Sequence, residues 1–447
     1  MTEIDEEKTL LLVESGPGMG EPVATRAKGD TPGFGFLFFG MVGLLCFTYF
    51  IQVIGLLTSK TRPAFASAST MVYGITSNLG QLIGIFFAPR ASFGSRIWIS
   101  CMMLAFTAVG YPIAINSHVP GGFYSGLGIT ACLGFSNAII QSAGFGLAAL
   151  VSEKAVNYLS LGQSVAGVLC WPLLLVLQYL FARAGFSNER IDGRPSMVES
   201  ASVLTGFLVV AIVTLAMIPY YAFGLSDSEG VRRGLLQKTV SNSSDKNARR
   251  STIEIVGSTM PLAITVWMNM FVTFLVFPGT LIVMEPRMPN ITGEKSFDAA
   301  VLIFIFQLFD LVGKLLVVAG VRLSRAQVII LSPCRIFIAG AMFAAAGNVW
   351  VLKYDISKIL LVALLGATNG LILNCAMILG PTQVPRSEAD VASYVMAFFL
   401  VNGILFGSLA ALLVGEMGNI SPKIAETAGE MMILIQGSEI PSLPTEL

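Results

Sequence analysis

Charge is scarce in this chain. Of 447 residues only 12% are Asp, Glu, Lys or Arg, while 54% are hydrophobic. Ordinary soluble domains carry roughly 25% charged residues, so a water-soluble fold of this length is excluded and a polytopic membrane protein is specified. The 27 basic and 27 acidic residues cancel, which excludes a global basic field for nucleic acid. Histidine is nearly absent. His118 stands alone, which removes His-based catalysis, His metal clusters and His proton relays. The six cysteines, Cys46, Cys101, Cys132, Cys170, Cys334 and Cys375, lie within apolar runs without CxxC spacing, so neither a disulfide framework nor a zinc site is expected. No Gly-x-x-x-x-Gly-Lys-Ser/Thr loop occurs, which disfavours ATP-driven pumping. No nucleophile–base set or acidic metal cluster is visible, so an enzyme, a metal and a cofactor are all unexpected. No secretory signal is expected either: the first thirty-odd residues are polar and acidic, and the apolar run from Phe34 is too long for a cleaved segment.

What the chain does have is a series of apolar runs. Spans are expected near 34–57, 68–88, 97–116, 124–150, 156–181, 201–224, 259–284, 298–320, 327–350, 358–380 and 392–414, an all-α polytopic bundle of about eleven transmembrane helices. One long internal connection, 225–258, carries Arg232, Arg233, Lys238, Lys246, Arg249 and Arg250 among Ser, Asn and Asp. It reads as a basic, disordered linker. The expected organisation is a cytoplasmic N-terminal tail (1–33), a six-helix bundle (34–224), a cytoplasmic linker (225–258), a five-helix bundle (259–414) and an outside C-terminal tail (415–447). This 6+5 layout resembles carriers of the major facilitator type, built from two halves. Loop Lys and Arg residues favour a cytoplasmic N-terminus, and an odd number of spans then puts the C-terminus outside. The sequons at Asn290 and Asn419 fall outside under this choice and are candidate glycosylation sites.

Within the eighth run, Asp310 and Lys314 stand one helical turn apart. A lone charge at the bilayer centre costs roughly 2.5 kcal/mol or more. Residues at i and i+4 share a face, so this pair can meet and offset part of that cost. It lines a polar path or it holds helices together. Gln141, Gln163 and Asn369 are expected as buried amides, each a candidate for substrate contact or for an interhelical hydrogen bond. Arg335 lies inside the ninth run, with Asp310 and a carbonyl freed by Pro333 as alternative partners. Leu44, Phe47 and Ile51 share one face of the first span, as packing stripe or apolar wall. Gly162, Gly167 and the Gly403-x-x-x-Gly407 pair mark close helix packing.

Several segments, read together, resemble the equilibrative nucleoside transporter family. Phe306-Gln307-Leu308-Phe309-Asp310-Leu311-Val312-Gly313-Lys314 is similar to that family's Phe-x-x-Phe-Asp-x-x-Gly-Arg. Ala138-Ile139-Ile140-Gln141 with Phe145-Gly146-Leu147-Ala148 resembles its fourth span, and Gly162-Gln163-Ser164-Val165-Ala166-Gly167 resembles the Gly-Gln-x-x-Ala-Gly of the fifth. Asn369-Gly370 with Gly380-Pro381 is similar to the tenth span, and Met396-Ala397-Phe398-Phe399-Leu400 to the eleventh. Two positions depart: Leu44-Leu45-Cys46-Phe47-Thr48 stands for the family's Leu-Leu-Pro-Trp-Asn, and Lys314 stands for Arg. Lysine is a point donor where arginine is a planar fork.

The resemblance implies a carrier of nucleosides or nucleobases working by alternating access in a lipid bilayer, with no nucleic-acid partner. It places Asp310, Lys314, Gln141, Leu44, Phe47, Ile51, Arg335 and Asn369 at the substrate, and Arg96 with Asp390 at a cytoplasmic gate. The residue types suit that cargo. A carboxylate accepts from ribose hydroxyls, amides read a base edge, and apolar side chains wall the base. A facilitative carrier and a proton-coupled one, with Asp310 titrating, both remain open. The plasma membrane is the expected location. Glu6-Glu7-Lys8-Thr9-Leu10-Leu11 resembles an acidic dileucine sorting signal, which offers an endosomal or lysosomal membrane instead.

Overall fold

The computed structural model describes residues 33–61, 65–87, 92–116, 121–189, 195–244, 251–277, 279–284 and 295–436. A bilayer interior offers no water to backbone N–H and C=O groups, so an apolar chain must bond them internally. The described residues do this as helices, with no strand among them. In chain order they are α1 (Gly33–Lys60), α2 (Phe65–Phe87), α3 (Phe93–Asn116), α4 (Gly121–Val151), α5 (Glu153–Arg183), α6 (Met197–Tyr220) and α7 (Glu229–Ser244). There follow α8 (Thr252–Val276), the short α9 (Gly279–Val283), α10 (Lys295–Val318), α11 (Arg325–Cys334), α12 (Ile336–Ala346), α13 (Asp355–Leu379) and α14 (Ala389–Gln436).

Ten helical segments among the described residues are long and apolar enough to cross a membrane, where the sequence predicts about eleven. The difference falls on α2. It is 23 residues long, but Ser69, Thr70, Thr76, Ser77, Asn78 and Gln81 dilute its apolar character. Those side chains serve packing: Ser77 Oγ donates to the Gly134 carbonyl at 3.0 Å, and Asn402 Nδ2 donates to Asn78 Oδ1 at 3.1 Å. The helix is flanked by α4 and α14.

Two further expectations change. The connection 225–258, expected to be disordered, contains α7. Val231 and Leu235, one turn apart, pack into the core and dock α7 on α4. Glu229 and Arg233 pair across one turn of its exposed face. The ninth span is broken into α11 and α12 at Arg335, two residues after Pro333. Proline removes a helical N–H and crowds the preceding turn, which favours a break there.

Helix starts follow ordinary capping chemistry. Ser196 and Glu199 form a reciprocal capping box at α6, and Ser324 with Gln327 forms another at α11. Before α7, helix α1 packs on α5, α2 on α4, and α3 on α4 and α6. After α7, helix α8 packs on α14 and α10 on α13. Helices α5 with α10, and α14 with α2 and α4, join the two sets.

Candidate functional site

Three glycines set the spacing of α10 and α13. A Cβ at Gly366 would lie 2.5 Å from the Phe306 carbonyl oxygen. One at Gly313 would meet the Ala367 carbonyl, and one at Gly370 would meet the carbonyl of Asp310 itself. Only bare backbone permits this approach. It brings Asn369 against Asp310, and Asn369 Nδ2 donates to Asp310 Oδ1 at 2.7 Å.

The other carboxylate oxygen faces α5. Ser164 Oγ donates to Asp310 Oδ2, and Lys314 Nζ lies 3.3 Å from the same oxygen. Lys314 also donates to the Ser160 carbonyl at 3.1 Å. Asp310 is 5% exposed and Lys314 4%, whereas Val312, Leu315 and Leu316 on the same helix are 37%, 44% and 42% exposed. The charged pair therefore points into the bundle and the apolar face points outward.

The network continues through buried amides. Asn369 Oδ1 accepts from Asn269 Nδ2 and from Thr273 Oγ1, each at 2.9 Å. Arg335 Nη1 donates to both the carbonyl and Oδ1 of Asn269 at 2.7 Å. Its Nη2 reaches the Leu365 carbonyl at 3.0 Å and its Nε reaches Thr368 Oγ1 at 3.1 Å. Arg335 thus takes neither expected partner. It meets Asp310 only through Asn269 and Asn369, and its carbonyls come from α8 and α13.

The remaining expected residues lie apart from this chain of bonds. Gln141 on α4 is buried, and its Oε1 has no hydrogen-bond partner. Phe47 stacks on Tyr73 with ring centroids 4.1 Å apart. Ile51 is buried and Leu44 is half-buried against the core. Cβ atoms at Gly162, Gly167, Gly403 and Gly407 would run into the Leu37 carbonyl, the Gln307 side chain, the Trp267 carbonyl and the Phe271 carbonyl respectively. Asn290 lies outside the described residues; Asn419 falls on the α14 backbone, and its side chain is not among the described ones.

Arg96 and Asp390 come together through a third residue. Arg96 Nη2 donates to Tyr394 Oη at 3.2 Å, and Tyr394 Oη reaches Asp390 Oδ2 at 3.5 Å. The ion pair of Asp390 is made instead by Lys238 of α7. Arg96 also lies over the Phe93 ring, 4.4 Å from its centroid. Beside this group, Arg386 donates to the Leu150 and Val151 carbonyls at the end of α4.

The model of the family described as Nucleoside transporter matches residues 127–415, a stretch that holds Gln141, Asp310, Lys314, Asn369 and Asp390. The chain belongs to the nucleoside transporter family. It is 24% identical over 345 residues to equilibrative nucleotide transporter 1 of Arabidopsis thaliana, covering 74% of this chain and 73% of that one. Identity is also 24% over 345 residues to equilibrative nucleoside transporter 3 of Rattus norvegicus, with 70% of each chain covered. Among solved structures, the major facilitator superfamily proton:xylose symporter XylE bound to 6-bromo-6-deoxy-D-glucose superposes with a TM-score of 0.57. That match has 14% identity and covers 88% of this chain and 89% of the other. The shared fold is that of the major facilitator carriers, and the family match makes the chain a multi-pass membrane transporter.

Seven polar participants escape a sequence reading of this nucleoside transporter family member: Ser160, Ser164, Asn269, Thr273, Thr368, Lys238 and Tyr394. Asn269 and Thr273 carry a signal that could have found them. They are polar, one helical turn apart, and sit inside an otherwise apolar run.

Proposed function

We propose that this chain carries nucleosides across a membrane by facilitative alternating access, its two halves rocking about the Asp310 network. One observation carries the reading: a carboxylate buried where α5, α10 and α13 meet, at the boundary between the helices before and after α7, with its partners drawn from both sets. A group that must be exposed alternately to two sides belongs at such a boundary. A carboxylate there accepts from ribose hydroxyls. It would repel a phosphate, so nucleosides are favoured over nucleotides, and a bare nucleobase lacks the hydroxyls that Asp310 serves. The unpartnered Gln141 Oε1 is an acceptor for the exocyclic amine of a base. The Arg96–Tyr394–Asp390–Lys238 group is the gate, closed here, on the cytoplasmic side if Lys and Arg set the orientation.

Facilitative transport is proposed over proton coupling, with Asp310 held as an acceptor by Asn369, Ser164 and Lys314. The test is uptake of labelled adenosine, uridine and adenine into proteoliposomes, with and without a proton gradient. Nucleoside uptake that equilibrates, and that Asp310→Asn abolishes without loss of folded protein, is expected. Accumulation above equilibrium driven by the gradient refutes the facilitative reading, and undiminished uptake by Asp310→Asn refutes the site.

A further inference from the structure

Buried serine and threonine hydroxyls in helices ordinarily bond back to the carbonyl four residues earlier. This chain follows the habit at Thr48, Ser136, Ser202, Thr265 and Thr273. Ser164 does not. It is 1% exposed and its hydroxyl crosses from α5 to Asp310 on α10. Its own carbonyl four residues back, Ser160, is taken by Lys314 Nζ at 3.1 Å. Serine and ion pair have in effect exchanged partners: the lysine sits where the hydroxyl would bond back, and the hydroxyl sits on the lysine's carboxylate.

We infer that the Ser164 hydroxyl is a built-in stand-in for a substrate hydroxyl, filling at Asp310 Oδ2 the place that a ribose hydroxyl takes in the loaded carrier. The inference rests on the proposed role of Asp310 as the ribose acceptor. Three features support it. The Ser164 hydroxyl has the same donor chemistry as a sugar hydroxyl. The bond joins the two sets of helices, so it must break when α5 and α10 separate. Breaking it strands nothing, because withdrawal of Lys314 frees the Ser160 carbonyl and Ser164 can bond back to it. The empty carrier thus keeps its buried carboxylate satisfied, and the hydroxyl yields to cargo at small cost.

A competitor for an acceptor weakens the binding of whatever needs that acceptor. Ser164→Ala should therefore tighten adenosine binding about tenfold, the scale of one hydrogen bond to a charged group. Binding of 2′,3′-dideoxyadenosine, which has no hydroxyl at those positions, should not change. Ser164→Thr keeps the hydroxyl and should restore the wild-type ratio of the two affinities. The measurement is isothermal titration of purified, detergent-solubilised protein with each ligand. Equal shifts for both ligands, no shift for either, or selective weakening of adenosine overturns the inference. Wild-type protein that binds the two ligands equally well overturns the Asp310 reading itself, and this inference with it. Wild-type preference for adenosine with an unchanged ratio in Ser164→Ala overturns this inference alone.

Discussion

Replacing Gly366 by alanine tests whether helix spacing controls the site. The new Cβ would lie 2.5 Å from the Phe306 carbonyl oxygen, whereas ordinary contact begins at 3.4 Å. Helix α13 must therefore retreat from α10 by about 0.9 Å, since backbone on both sides leaves no side chain to give way. Asn369 lies one turn further along the same face, and its 2.7 Å bond to Asp310 would open to about 3.6 Å, beyond hydrogen-bonding range. Overpacking costs about 1–3 kcal/mol, and loss of a hydrogen bond to a charged group about 1.5–3 kcal/mol. Alanine returns about 1 kcal/mol of helix propensity. The net loss of stability is about 1.5–5 kcal/mol. Asn369 holds the carboxylate from Oδ1 and does not occupy Oδ2, so losing its bond misplaces the acceptor, and nucleoside binding weakens about tenfold for each 1.4 kcal/mol of that bond. Thermal unfolding in detergent and half-saturation of uptake are the two readouts. Gly340→Ala is the control, because a Cβ there meets nothing within 4 Å. If both variants unfold and transport alike, the argument from close approach is wrong.

Three other perturbations have clear expectations. Lys238→Ala leaves Asp390 with the Tyr394 hydroxyl alone, so a cysteine at the buried Ser393 should react several-fold faster with a maleimide than in the Lys238 background; equal rates refute the gate assignment. Arg335→Met removes the donor to Asn269 Oδ1, while the Asn269 and Leu365 carbonyls still accept from Thr273 and Thr368. The expected loss is about 1–3 kcal/mol of stability, seen as a lower unfolding temperature, with Arg335→Lys intermediate. Phe47→Ala deletes the ring stacked on Tyr73 and should cost about 3–5 kcal/mol. A variant of normal thermal stability but poor nucleoside affinity would instead make Phe47 a substrate wall.

The centre of the site was legible because its signals are local. Asp310 and Lys314 stand out against an apolar run, and their i, i+4 spacing implies contact on any helix. Asn369-Gly370 is similarly conspicuous, since a glycine beside an amide marks where backbones approach. Ser164 was not legible. A serine in an apolar helix is common, and only the α10 carboxylate opposite distinguishes it from those that bond back to their own helix. Lys238 was hidden for another reason: its partner is 152 positions away, and the segment around it has too few apolar residues to announce a docked helix. Arg335 is legible as a buried cation, but α8 and α13 each supply two of its acceptors, and helix proximity cannot be read from spacing along one chain. Of the expected spans α2 is the one that falls short on apolarity, because its polar side chains bond neighbouring helices, a use that composition alone does not reveal.

Lys238 rides on the same covalent strand that joins one set of helices to the other. A counter-ion mounted on a tether behaves unlike one supplied by solvent or by another molecule. Its effective concentration near Asp390 is set by chain length, and dilution of the protein leaves it unchanged. Helix α7 has 16 residues and spans about 24 Å, so an opened clasp keeps its cation within a fixed radius of the vacated carboxylate. Resealing is then a first-order event, with a rate that depends on chain motion and ionic strength and on no second component.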